Sequence, residues 1–233
     1  MPELNNFVAV DWRSGLDRCY FFFKDTHTYT RFDLGDNKVP EGYPKAINAG
    51  NWDTVHSKLS NLRFGFTTTG ISPAERFGFD SDILWFFYYE EGIPTVCKYD
   101  QDTDTVNNVF PLADSIWHQL LPFFERIVAG TWWQQSPHPR LFRFLMNDGH
   151  CLSLNLATGK LTQEAVNNKT WPGLAPYTDR IITAVQSDRT FADNYFYIFL
   201  TNNEYLRYGL QTNRLLAGPM PVDDVSWPGL LRD

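Results

Sequence analysis

Cysteine is scarce in this chain. Cys19, Cys97 and Cys151 are the only three in 233 residues, odd in number and far apart. That excludes a disulfide framework and points to three reduced, mostly buried thiols. Basic residues are also short: Lys and Arg total 20 against 27 Asp and Glu, a formal charge of −7. Without a basic stripe to displace counterions, nucleic acid is not an expected partner. No apolar run approaches the ~18 residues of a membrane span. The start, Met1-Pro2-Glu3-Leu4-Asn5-Asn6, has no basic segment followed by an apolar run, so a cytoplasmic chain is expected. The signatures of familiar chemistry are missing too. There is no Gly-x-Ser-x-Gly elbow, phosphate loop or dinucleotide fingerprint. His150-Cys151 is one adjacent pair of soft ligands with no second pair at metal spacing. Asp100-Gln101-Asp102-Thr103-Asp104 lacks the Gly and Glu that close a calcium loop and reads as a solvated turn. Asn168-Lys169-Thr170 matches a glycosylation sequon by chance.

What the chain has in plenty is aromatic side chains, at 16%, a bias suited to pleated, half-buried strands. They fall into a repeat. Four segments open alike, as Val8-Ala9-Val10, Phe64-Gly65-Phe66, Val128-Ala129-Gly130 and Thr183-Ala184-Val185, about 55 to 64 residues apart. Each leads to an aromatic run: Cys19 to Lys24, Leu84 to Tyr89, Leu141 to Met146 and Tyr195 to Leu200. A polar turn follows each run, at Asp25-Thr26-His27, Glu90-Glu91-Gly92, Asn147-Asp148-Gly149 and Thr201-Asn202-Asn203. Runs joined in this way read as hairpins. The returning strands are Tyr29 to Phe32, Val96 to Tyr99, Cys151 to Leu154 and Tyr205 to Tyr208. Each unit closes on a short helical or turn segment that ends in tryptophan: Trp52, Trp117, Trp171 and Trp227.

One such unit is a propeller blade, and four blades around an axis cover one another's faces. The fold class is therefore an all-β, four-bladed β-propeller with a short helix or turn at the end of each blade. It is a single domain over 1–233, with blades at about 7–58, 62–125, 126–177 and 179–233. The small residue opening each inner strand is expected where four strands converge on the axis. The closing tryptophans are expected to pack between neighbouring blades.

The small-residue inner strand, the hairpin Tyr20-Phe21-Phe22-Phe23-Lys24-Asp25, the return Tyr29-Thr30-Arg31-Phe32-Asp33, Gly42-Tyr43-Pro44-Lys45-Ala46-Ile47 and Trp227-Pro228-Gly229-Leu230 resemble the hemopexin-like repeat. The resemblance runs from Phe7 to Leu231 and is closest to the stand-alone members, such as legume seed albumins and their microbial relatives. It implies a narrow channel in which backbone carbonyls hold an axial ion, calcium or sodium. The matching positions are Val8, Phe64, Val128 and Thr183, with a second ring at Val10, Phe66, Gly130 and Val185. The family usually has Asp or Asn at the first ring, and this chain does not. The disulfide that joins first and last blades in animal members has no counterpart here, because the fourth unit holds no cysteine.

The resemblance implies lectin-like, polyamine-binding or haem-binding activity. The leading expectation is a non-catalytic protein that binds a carbohydrate or polyamine. Its candidate residues are Trp12, Arg13, Trp132 and Trp133, at the expected mouth of the channel, with Gln134 and Gln135 beside them. Haem ligation finds poorly placed imidazoles in His27, His56, His118, His138 and His150. An alternative class is a cofactor-independent enzyme that uses the channel for cyclisation or cycloaddition, and another is a protein-interaction module. A homodimer is compatible with a stand-alone disc. One further column stands out: Arg31, Lys98 and Arg207 hold equivalent places on the returning strands, with Ser153 in the third unit. It reads as a solvated strand face, or as a row of charges around the disc.

Overall fold

The structure, a computed structural model, describes residues 4–15, 17–68, 82–133, 140–187 and 194–232. Gln134, Gln135 and His138 lie outside the described residues. The strands pair in chain order into four antiparallel four-stranded sheets. The first sheet holds β1 (Phe7–Trp12), β2 (Arg18–Phe23), β3 (Thr28–Asp33) and β4 (Lys45–Ala46). The second holds β5 (Leu62–Thr68), β6 (Ile83–Glu90), β7 (Ile93–Asp100) and β8 (Thr105–Pro111). The third holds β9 (Ile127–Trp132), β10 (Leu141–Met146), β11 (His150–Asn155) and β12 (Lys160–Ala165). The fourth holds β13 (Ile181–Ser187), β14 (Tyr195–Leu200), β15 (Glu204–Gly209) and β16 (Arg214–Pro221). The first strand of each sheet packs against the first strands before and after it, and β13 meets β1. That closes a four-bladed propeller with β1, β5, β9 and β13 innermost.

Because side chains alternate along a strand, each sheet buries both faces, one against each neighbour. Four cores result, one per blade junction. Blades 1 and 2 bury Val8, Val10, Phe22, Phe86 and Trp52 together. Blades 2 and 3 bury Phe66, Phe87, Phe142, Phe144 and Trp117. Blades 3 and 4 bury Ala129, Leu145, Ile198, Leu206 and Trp171. Blades 4 and 1 bury Phe7, Phe21, Val185, Phe199 and Trp227. Each closing tryptophan therefore sits in the junction between its own blade and the next, as its place in the repeat predicts. Their rings are met edge-on, as in Phe22–Trp52 at 4.8 Å and Trp117–Phe142 at 4.8 Å, the geometry aromatic quadrupoles favour. Ring closure is non-covalent: all three cysteines are free and buried. Leu4 N–H donates to Asn203 Oδ1 at 2.7 Å and Val39 N–H to Pro228 O at 2.9 Å across that last junction.

The third blade corrects the repeat by one residue. In β5, β9 and β13 the register slips once, stepping over Arg63, Val128 and Ile182. Val128 is thus the bulged residue, and Ala129 takes the place of Val8, Phe64 and Thr183. The small residue of the third inner strand is Gly130, equivalent to Ala9, Gly65 and Ala184. Two contacts confirm this frame. A Cβ on Gly65 would lie 2.8 Å from Val10 Cγ1 of the preceding blade, and one on Gly130 would lie 2.9 Å from Phe66 Cδ1 of its own preceding blade. Val10 and Phe66 are equivalent positions. The sequence motif Val128-Ala129-Gly130 misleads because this blade carries two small residues in a row, and matching on Ala129 in place of Gly130 sets the strand one residue out of register.

Candidate functional site

The corrected frame sorts the four expected mouth residues into two places. Arg13 and Trp132 come together. Blades 1 and 3 stand opposite each other across the axis, and the Arg13 guanidinium lies 5.4 Å from the Trp132 ring centroid. Arg13 Nε also pairs with Asp11 Oδ2 at 3.1 Å. Gln101 Oε1 accepts from the backbone N–H of Arg13 at 2.8 Å and of Ser14 at 3.0 Å. Asp11 Oδ1 accepts from Thr67 N–H at 2.9 Å. Burial pushes the Asp11 carboxyl above its ordinary value, and Arg13 opposes that shift. This end of the axis is therefore bridged by an ion pair laid over an indole.

Trp12 and Trp133 go elsewhere. They occupy equivalent positions in β1 and just past β9, and each enters the junction to its next blade. Trp12 meets Trp52 at 6.2 Å, and Trp133 meets Trp171 at 5.6 Å. Trp12, Trp132 and Trp133 are 7%, 8% and 4% exposed. They are not the open aromatic shelves that a mouth site requires.

The axial ring needs the same correction. Ala129, not Val128, is the position equivalent to Val8, Phe64 and Thr183, where the resemblance places the ring. Thr183 Oγ1 is taken by Ala9 N–H at 3.2 Å. Among the described residues, no group of three or more His, Cys, Asp or Glu could hold a metal ion.

The column of basic residues leads to a more open feature. Cross-strand pairing sets Tyr20 opposite Arg31, Trp85 opposite Lys98 and Tyr197 opposite Arg207. In the third blade the pair is Arg143 opposite Ser153. Each blade thus places one cation in this pair, and in blade 3 it has moved to the neighbouring strand, into a position that is aromatic in the other three. The column is not a plain solvated face, since Lys98 and Arg143 are both buried.

The surroundings of these cations differ. Arg31 is held by Asp33, with Nε at 3.0 Å and Nη2 at 3.1 Å from its two oxygens. The positions equivalent to Asp33 in blades 3 and 4 are Asn155 and Gly209. Arg143 and Arg207 have no carboxylate partner among the described residues, and open grooves occur at their two junctions. Next to Arg143 a groove of about 300 Å³ is lined by Trp133, Ser153, Glu164, Lys169, Thr170 and Asn213. Next to Arg207 a smaller one of about 170 Å³ includes Tyr197, Tyr205, Trp227 and Asn37. Asn37 and Asn213 are equivalent turn residues, both left-handed, at φ 51° and 46°.

Arg143 is 8% exposed. Its guanidinium carbon lies 4.3 Å from the Trp133 centroid and 4.1 Å from the Trp171 centroid, in the corner formed by two indoles that meet edge to face. Nη1 donates to Asn213 Oδ1 at 3.0 Å, and Nη2 donates to Thr170 O. Burial lowers its pKa from the ordinary arginine value, as desolvation does to any cation whose acceptors are neutral. Sequence reasoning passed over Arg143. The available signal was a lone charge within an aromatic run, in the blade whose returning strand lacks one.

No family model and no curated protein matches the chain. Among solved structures, it is similar to apo AztD from Citrobacter koseri, at 11% identity and a TM-score of 0.30, covering 90% of this chain and 45% of that one. It is also similar to a structural genomics protein of unknown function from Bacteroides thetaiotaomicron, at 12% identity and a TM-score of 0.33, covering 92% of this chain and 43% of that one. The chain spans less than half the length of either. No helix among the described residues is long and apolar enough to cross a membrane.

Proposed function

We propose that this chain is a non-catalytic, lectin-like binding protein of the hemopexin-like type, and that it holds a glycan in its blade junctions rather than in its channel. The observation that carries this reading is the groove of about 300 Å³ between blades 3 and 4, where Trp133 and Arg143 lie beneath a rim of Ser153, Lys169, Thr170 and Asn213. That volume is at the small end of organic-ligand sites. Hydroxyl, amide and guanidinium donors around the groove suit the hydroxyl edges of a sugar ring, with the buried Trp133 indole closing one wall. The Arg13–Trp132 bridge argues against a substrate held at that end of the axis. Cations in the junctions argue against a polyamine there, because a polyamine needs carboxylates around an aromatic cage. The three thiols, Cys19, Cys97 and Cys151, are free, which fits a cytoplasmic setting.

The test is calorimetric titration of the full chain with a panel of neutral and acidic mono- and disaccharides. The reading expects weak binding of at least one sugar and a loss of about tenfold or more in Trp133→Ala, equivalent to ~1.4 kcal/mol. No heat with any sugar would sink it.

A further inference from the structure

We infer that the groove between blades 3 and 4 is a carboxylate site, in which Arg143 binds the acid group of the ligand. The inference deepens the lectin-like reading by naming the ligand class, an acidic sugar with a free carboxylate such as a uronic acid. It stands on four observations that do not depend on the sugar. First, a guanidinium that is 8% exposed makes no ion pair with a carboxylate among the described residues, whereas Arg31, the cation of the same cross-strand pair in blade 1, is held by Asp33. A buried cation is normally paired. Second, the guanidinium rests against both Trp133 and Trp171, which fix its position without enclosing it. Its fork of N–H groups matches a planar carboxylate. Third, its hydrogen-bond partners, Asn213, the Thr170 carbonyl and the Cys151 thiol, are all neutral. Fourth, the groove lies against this side chain and carries Lys169 on its rim. Glu164 is the one acid of that lining and is exposed. The groove is thus locally cationic on a protein of charge −7.

The same logic ranks the blades. Blade 1 has its carboxylate built in as Asp33. Blade 3 has Asn155 in that place and the larger groove, so it is the primary site.

The experiment uses the full chain at neutral pH and three probes: glucuronate, glucose, and acetate as the bare carboxylate. Inorganic phosphate is the non-planar control. The expected result is that glucuronate binds at least tenfold more tightly than glucose, and that acetate competes with it while phosphate at equal concentration does not. Arg143→Gln should abolish the preference. Because that side chain is buried, a second variant guards against simple misfolding. Asn213→Asp places a carboxylate on the atom that already accepts from Nη1, in a left-handed turn that aspartate tolerates. It should keep the fold and remove the preference by occupying the guanidinium from within. Equal affinity for glucuronate and glucose would overturn the carboxylate inference and leave the lectin-like reading standing. Acetate binding without any sugar dependence would keep the inference and overturn the lectin-like reading. Undiminished glucuronate preference in a folded Asn213→Asp protein, or phosphate matching acetate, would overturn the inference.

Discussion

Gly130→Ala tests the one-residue correction in the third blade. A Cβ there would sit 2.8 Å from Phe144 Cδ1 and 2.9 Å from Phe66 Cδ1, inside van der Waals contact on two sides. Overpacking of that kind costs about 1–3 kcal/mol. The stiffer unfolded chain returns about 0.4–1 kcal/mol, leaving a net loss of about 1–2 kcal/mol. At about 2–4 °C per kcal/mol for a chain of this size, Tm should fall by ~2–8 °C. Thermal and urea unfolding of wild type, Gly130→Ala, Phe66→Leu and the double variant complete a cycle. The clash is shared by the Phe144 and Phe66 rings, so the double variant should recover part of the loss, about 0.5–1 kcal/mol, a coupling expected for touching residues. Ala129→Val is the control. Its column otherwise holds Val8, Phe64 and Thr183, so it should cost less than Gly130→Ala. If Gly130→Ala is within ~0.5 kcal/mol of wild type, or if Ala129→Val is the worse of the two, the frame is wrong.

The other expectations concern thiols, the axial ion pair and the closing tryptophans. Cys19, Cys97 and Cys151 are buried, and burial raises each thiol pKa. A chromogenic thiol reagent should label almost none of them in the native state and all three after denaturant; rapid native labelling would contradict the packing. Asp11 holds its proton more tightly folded than unfolded, so its contribution is greatest below the ordinary value of 3.8 and declines as pH rises through the higher folded value. Asp11→Asn should flatten that part of the urea-midpoint profile, whatever it does to the absolute level, and an unchanged slope would refute the assignment. Trp227→Ala opens the junction that closes the ring and should cost about 3–5 kcal/mol, read as a lower urea midpoint.

The fold was legible because its causes are local and repeated. Polar turns such as Asn147-Asp148-Gly149, aromatic runs and the four closing tryptophans each state a strand, a hairpin or a junction within a few residues. The site was less legible for two physical reasons. Alternation has period two, so taking Ala129 in place of Gly130 as the small residue exchanges the faces of both, and with them the ring and core positions. Burial is also a property of the neighbour and not of the residue. Trp12 and Trp133 read as mouth aromatics, yet Trp52 and Trp171 receive them inside the junctions. Arg143 reads as one charge among aromatics until pairing puts it opposite Ser153, where the other blades show Arg31, Lys98 and Arg207.

The central claim is that ligand enters the blade 3–4 junction and not the axial channel. Two-dimensional NMR of the tryptophan indole N–H groups during titration with glucuronate tests it most directly. The account expects the Trp133 and Trp171 signals to move together and saturate with the calorimetric affinity, while those of Trp12, Trp52 and Trp132 stay in place. Movement confined to Trp132, the indole beneath Arg13, would put the ligand on the axis and contradict the account.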